Sequence, residues 1–213
     1  MEVIRVVVIG APQVGKSTLV KQFVQSAAPG RPACSLSDGC PRHTYFPAVL
    51  LNSRLFAFRL HDVSGVRRFP AGADQEWSQC RALGLRSAAA YLLVFDLTCA
   101  DSFRYIRAIR EQMLESRDMQ RVPVIVVGNK RDRVAARDTR DCRDFSATVR
   151  KQWKWPYVEC SAKFNYRVLQ VFRELTMALD ALRQEELAPA TETSAAAARS
   201  AADGGLCGHC AIQ

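Results

Sequence analysis

Residues 4–17 limit the fold of this 213-residue chain more than any other stretch. Ile4 to Ile9 reads IRVVVI, a β-branched run that suits a strand buried on both faces. It ends in Gly10, and the sequence continues GAPQVGKS, so Gly10, Gly15, Lys16 and Ser17 fall in the pattern G-x-x-x-x-G-K-S/T. Gly15 to Val24 then reads as a helix. A strand, a glycine-bounded loop and a helix in direct succession form a cradle for phosphate. The glycines let backbone N–H groups curl around phosphate oxygens at a helix N-terminus that already favours anions. Gly10, Ala11, Pro12, Gln13, Val14, Gly15, Lys16, Ser17 and Thr18 are expected to line it. Lys16 reaches the β- and γ-phosphates, and the Ser17 hydroxyl ligates Mg²⁺.

The same alternation continues along the chain. Tyr45 to Leu51 and Leu55 to Leu60 read as two strands around Asn52-Ser53, a hairpin signal. Pro47 makes the first an edge strand or a bulged one. Gln75 to Arg86 is predicted helical, Tyr91 to Leu97 a strand, Asp101 to Arg117 a helix, and Val122 to Val127 a strand. Asp141 to Trp153 follows as helix and Tyr157 to Glu159 as a short strand. Val168, Phe172, Leu175, Leu179 and Leu182 make the stripe of a final amphipathic helix. Strands alternating with helices give an α/β fold, a mostly parallel sheet covered by helices on both faces, with one antiparallel edge. Residues 27–43 and 63–73 read as loop. From Gln184 the periodicity stops. The expected organisation is therefore one domain over 1–183 and a low-complexity, mobile tail over 184–213.

Composition excludes several classes. The longest apolar run, Ala88 to Phe95, is too short to cross a bilayer, and the N-terminus does not read as a signal peptide. The eight cysteines show no repeat, and the C-x-x-C of Cys207 and Cys210 has no second ligand pair nearby, so zinc is not expected and reduced thiols are. The net charge of +9 points to nucleic acid or an anionic membrane. Fourteen basic and seven acidic residues lie between Arg104 and Lys154, with no nucleic-acid motif or aromatic platform, so a solvated charged face is favoured over nucleic-acid binding.

Two further loops choose the base. Asn129-Lys130-Arg131-Asp132 directly follows the strand VPVIVVG. The Asp132 carboxylate can accept two hydrogen bonds from guanine, from N1–H and the 2-amino group, a donor pair that adenine lacks. Asn129 can tie this loop to the phosphate loop, and the Lys130 stem can cover the base. Ser161-Ala162-Lys163 follows the last short strand. Backbone N–H groups near Ala162 are placed for the guanine carbonyl oxygen, and Lys163 for the base face. These loops argue against a P-loop kinase.

With these motifs in this order, and Asp62 to Gly65 reading D-x-x-G, the chain resembles the small GTPases of the Ras family over about residues 3–183 and the last four residues. The stretches ADSFRYIRAIREQMLESR and VRKQWKWPYVECSAKFNYRVLQVFRELT look most like the divergent Ras-like family 10 branch. The resemblance implies a P-loop small-GTPase fold with a six-stranded sheet, binding of GTP and GDP, bound Mg²⁺, GTP hydrolysis to GDP and phosphate, and two nucleotide-sensing switch segments. Asp62 would hold Mg²⁺ through water, and the Gly65 N–H would contact the γ-phosphate.

The chain also departs from that pattern. Val66 stands where the family has its water-orienting Gln, so slow intrinsic hydrolysis and a weak response to an arginine finger are expected, unless a neighbour such as Gln75 takes the role. No catalytic residue is assigned beyond Gly65 and the Val66 position. The family's Mg²⁺-ligating Thr falls at Cys40, with Ser35, Ser37 and Thr44 nearby. Pro12 and Gln13 replace common glycines.

The chain ends Cys210-Ala211-Ile212-Gln213, a C-a-a-X box with the farnesyl preference at Cys210 and the carboxyl methylation that such processing implies. One prenyl chain binds membranes only marginally, so a second signal is needed. Residues 183–213 carry two basic and four acidic residues, which leaves Cys207 as a palmitoylation candidate in place of a basic tail. Residues 1–182 hold 28 basic against 17 acidic residues, and that charge favours contact between the folded domain and an anionic leaflet. The expectation is a monomeric, membrane-anchored signalling switch on the cytoplasmic side of the cell membrane, compatible with a nuclear pool, with unnamed effector and exchange factor. The alternative is a mostly GTP-bound interaction protein regulated by its abundance.

Overall fold

The computed structural model describes residues 3–27, 44–51, 54–63, 66, 68–72, 84–135 and 139–187. Strand β1 (Val3–Ile9) pairs in parallel with β4 (Arg54–Asp62) on one side and β5 (Ala90–Asp96) on the other. The sheet continues in parallel through β6 (Val124–Asn129) to β7 (Tyr157–Glu159). At the opposite edge, β2 (Thr44–Tyr45) and β3 (Ala48–Leu51) both pair antiparallel with β4. Every residue of β5 and β6 is buried, as their continuous apolar runs require.

Among the described residues the sheet thus has seven strands rather than the expected six. The extra strand comes from Pro47. Tyr45 pairs with Leu60 and Ala48 with Ala57, so one unbroken register runs through both segments and no bulge intervenes. Pro47 has no N–H to give the ladder, although its carbonyl still accepts from the Phe58 N–H at 2.9 Å. One edge strand is therefore cut into two by a missing donor.

The helices divide between the faces as the period of two along β1 dictates. Ile4, Val6 and Val8 pack in one apolar layer with Leu19, Val20 and Phe23 of α1 (Lys16–Ala27). Val171, Phe172 and Leu175 of α4 (Val168–Leu187) complete that layer. Phe23 and Phe172 stack with their ring centroids 3.4 Å apart, and truncating such a ring costs roughly 3–5 kcal/mol. Val7 and Ile9 face the second layer, with Phe103, Ile106 and Met113 of α2 (Ala100–Ser116). Cys142 of α3 (Thr139–Ala147) joins this layer, as do Val149 and Trp153 of the wider π-helical turn that follows, Thr148–Trp153. Sequence periodicity predicted one helix across both.

Gly84, Leu85 and Arg86 are not helical; the rest of the helix predicted over 75–86 lies outside the described residues. Residues 1–179 form one compact unit, and Asp180–Gln213 a second, of which only the end of α4 is described. No helix among the described residues is long and apolar enough to cross a membrane. Cys99, Cys142 and Cys160 form no disulfide.

Candidate nucleotide-binding site

All five parallel strands end on one edge of the sheet, where ligands gather in doubly wound folds. Each expected motif that is described lies on that edge. The loop after β1 is shaped by close approach. A Cβ at Gly10 would run into the Val94 carbonyl of β5, and Gly15 sits at φ +94°, where an added Cβ would strike the Asn129 amide. Gln13 is also left-handed, at φ +62°, and Pro12 and Gln13 are exposed. Lys16 is only 5% exposed, and its Nζ donates to the Gly10 and Ala11 carbonyls at 2.9 Å each. Burial lowers its pKa, and the Asp62 carboxylate opposes that shift. The ammonium is thus held at the mouth of the loop. The first turn of α1 itself carries no acidic residue, and its N-terminal dipole favours an anion.

Asp62, at the end of β4, accepts a hydrogen bond from the Ser17 hydroxyl through Oδ2. Its Oδ1 is buried and has no hydrogen-bond partner among the described residues. Two hard oxygen donors side by side, one with an unsatisfied lone pair, fit Mg²⁺, which takes few protein ligands and completes its shell with phosphate and water. Thr44 does not join this set, because its hydroxyl is buried against His61 Nδ1 at 3.1 Å. Burial, then the charges of Arg59 and Arg5, push the His61 pKa down to about 4. Ser35, Ser37, Cys40, Gly65 and Gln75 lie outside the described residues, as do Cys207 and Cys210.

The base-side loops meet at one side chain. Asn129 is 2% exposed; its Nδ2 donates to the Val14 carbonyl at 2.8 Å, and its Oδ1 accepts from the Ala162 N–H at 2.9 Å. One amide therefore joins the phosphate loop, the β6 loop and the β7 loop. The Ala162 N–H, expected at the base carbonyl, is engaged by Asn129. Ser161 Oγ donates to Asp132 Oδ1, which orients the exposed carboxylate. A cavity of about 350 Å³ opens here, lined by Gly15, Thr18, Asn129, Lys130, Asp132, Arg133, Ala162 and Lys163. It lies beside the phosphate loop and carries the Asp132 carboxylate in its lining.

The model for the Ras family matches residues 5–181. The chain belongs to the Ras family. Among curated relatives, Ras-like protein family member 10B of Homo sapiens is 40% identical over 185 residues, covering 84% of this chain and 87% of the relative. Ras-like protein family member 10A of Homo sapiens is 41% identical over 176 residues, covering 81% and 84%. GTP-binding protein Di-Ras1 of Homo sapiens is 31% identical over 173 residues, covering 80% and 79%. Within this Ras-family frame the small-GTPase, P-loop and GTP-binding readings stand.

Two features of the Ras-family site were not anticipated. Lys130 adopts φ +62° and its Nζ lies 2.8 Å from Asp96 Oδ2 at the end of β5. Burial alone would raise the Asp96 carboxyl, but hydrogen bonds from Lys130 and Thr98, together with the Lys130 charge, hold it below its ordinary value. A carboxylate closing a central parallel strand was the available signal. Val66 is 5% exposed and sits in the second apolar layer with Phe69 and Tyr91, while its carbonyl accepts from the Tyr105 hydroxyl. The position read as a switch residue is a core residue here.

Proposed function

We propose that this Ras-family protein is a guanine-nucleotide switch that binds GTP and GDP with Mg²⁺, hydrolyses GTP slowly and works while lipid-anchored at the cytoplasmic face of a membrane. The observation that carries the guanine reading is the oriented Asp132 carboxylate at the mouth of the cavity, fixed to Ser161 and set on the loop that Asn129 ties to the phosphate loop. Ser17 and Asp62 would hold Mg²⁺, which supplies charge neutralisation across the β- and γ-phosphates. Lys16 holds phosphate oxygens, and the backbone of residues 10–18 orients them.

Asp132→Asn tests the base. A carboxylate accepts from both donors of guanine, whereas an asparagine amide presents one acceptor and one donor, which suits the N1–H and 2-carbonyl of xanthine. The variant should lose GDP affinity and gain xanthosine diphosphate affinity, a reversal on the order of 100-fold or more. Unchanged guanine preference would remove Asp132 from base recognition.

Slow turnover is supported by Val66, whose apolar side chain is packed away from solvent and has no group to orient a water. The same observation favours the second reading, a mostly GTP-bound protein regulated by abundance. The nucleotide carried by protein purified from cells separates the two, since predominantly GTP supports the second. Anchoring rests on the C-a-a-X box, with Cys210 as the farnesyl site and Cys207 as a palmitoyl site. Cys210→Ser should release the protein from membranes; retention would overturn the anchor.

A further inference from the structure

A second cavity, of about 430 Å³, lies along α3 and β7, and no residue lining it lines the base pocket. Arg143 and Ser146 reach it from α3, and the widened turn after that helix adds Arg150 and Lys151. Arg131 and Glu159 close the other side. Four cations therefore face one carboxylate, and that carboxylate is already engaged by Arg131 Nε at 3.0 Å. Arg150 is braced as well: its Nη2 donates to the Tyr157 carbonyl at 2.8 Å and its guanidinium lies over the Tyr157 ring. Arg143 and Lys151 are exposed and form no ion pair among the described residues.

A concave surface with excess positive charge concentrates anions, and guanidinium forks match phosphate oxygens two at a time. Two of the forks are held in place before any ligand arrives, which lowers the ordering cost of binding. The volume exceeds what one phosphate group fills. The geometry points to a binding site for a compact anion that carries two or more phosphate groups, separate from the nucleotide site. A soluble polyol polyphosphate and a phosphoinositide headgroup present this same chemistry. The basic excess of residues 104–154 thereby acquires a use other than solvation, and the assignment does not depend on the switch reading above.

The test uses the unlipidated full chain. Inositol hexakisphosphate and inositol 1,4,5-trisphosphate are titrated calorimetrically. Phosphatidylcholine vesicles containing phosphatidylinositol 4,5-bisphosphate are compared with vesicles matched in charge by phosphatidylserine. Binding should weaken as salt rises. The double variant R143A/K151A, which removes exposed side chains only, should bind at least about tenfold more weakly with an unchanged thermal midpoint and unchanged GDP affinity. Binding to the soluble probes assigns a soluble source, and binding only to the bisphosphate vesicles assigns a lipid source. No binding by any probe, equal binding by the variant, or equal binding to the phosphatidylserine vesicles overturns the site. Failure of the native protein to bind GDP would sink the nucleotide reading and leave this one standing.

Discussion

The base loops and the position that follows D-x-x-G are built by opposite means. On the base side, polar side chains are buried or oriented by one another: Asn129 spans three loops, Ser161 fixes Asp132, and Lys130 is pinned to Asp96. The residue that follows D-x-x-G is Val66, and it belongs to the second apolar layer. Holding a nucleotide needs only static donors and acceptors, whereas hydrolysis needs a group that positions a water in the transition state. On the switch reading proposed above, the polar contacts serve the first task, and the difference predicts that affinity and turnover are separable.

The largest expected effect attacks the base side. Asn129→Ala removes the amide that joins the Val14 carbonyl to the Ala162 N–H, and leaves both buried groups without a partner. GDP affinity should fall by about 100-fold or more, equivalent to losing hydrogen bonds worth roughly 1–1.5 kcal/mol each plus the cost of the unpaired groups. Fluorescent-nucleotide dissociation measures it. A loss of only a few fold would mean that the three loops hold together without their shared side chain.

A smaller effect should follow on the other side. Val66→Gln places an amide in an apolar layer and should cost about 1–3 kcal/mol of stability in urea unfolding, with GDP affinity nearly unchanged. If affinity fell as steeply as for Asn129→Ala, the two sides would not be separable. The smallest effect concerns pH. His61 is neutral when folded, with its pKa pushed down to about 4, and it takes up a proton near pH 6.5 when unfolded. The unfolded state therefore binds more protons in this window. Stability is complete above pH 6.5 and is lost as pH falls toward 4, with about 1 kcal/mol gone between pH 7.5 and 5.5. Parallel urea titrations of the native protein and His61→Asn should show that slope flattened in the variant.

Much of this was legible in the sequence because it is written locally. The phosphate loop is contiguous, and its glycines are demanded by a φ of +94° at Gly15 and by the nearby Val94 carbonyl at Gly10. The link from Asn129 to the phosphate loop followed from its place behind a buried strand. Pro47 announced an edge strand, but its effect, a cut without a bulge, depended on a register that only the partner strand sets. Val66 and Asp96 were not legible in full for the same reason. Burial of the first depends on Phe69 and Tyr91, and the pairing of the second depends on a left-handed Lys130 some thirty residues away. Helix periodicity likewise carried the α3 reading through Trp153 without revealing the wider turn that brings Arg150 and Lys151 to the second cavity.

The separation of holding from turning over is tested most directly by single-turnover GTP hydrolysis, measured beside GTP and GDP affinity on the full chain with Mg²⁺. The expected result is tight binding of both nucleotides with hydrolysis below about 10⁻⁴ s⁻¹, slower than the roughly 3–5 × 10⁻⁴ s⁻¹ of unassisted Ras, and little stimulation by an added arginine finger. Tight binding accompanied by hydrolysis at or above the Ras rate would contradict it.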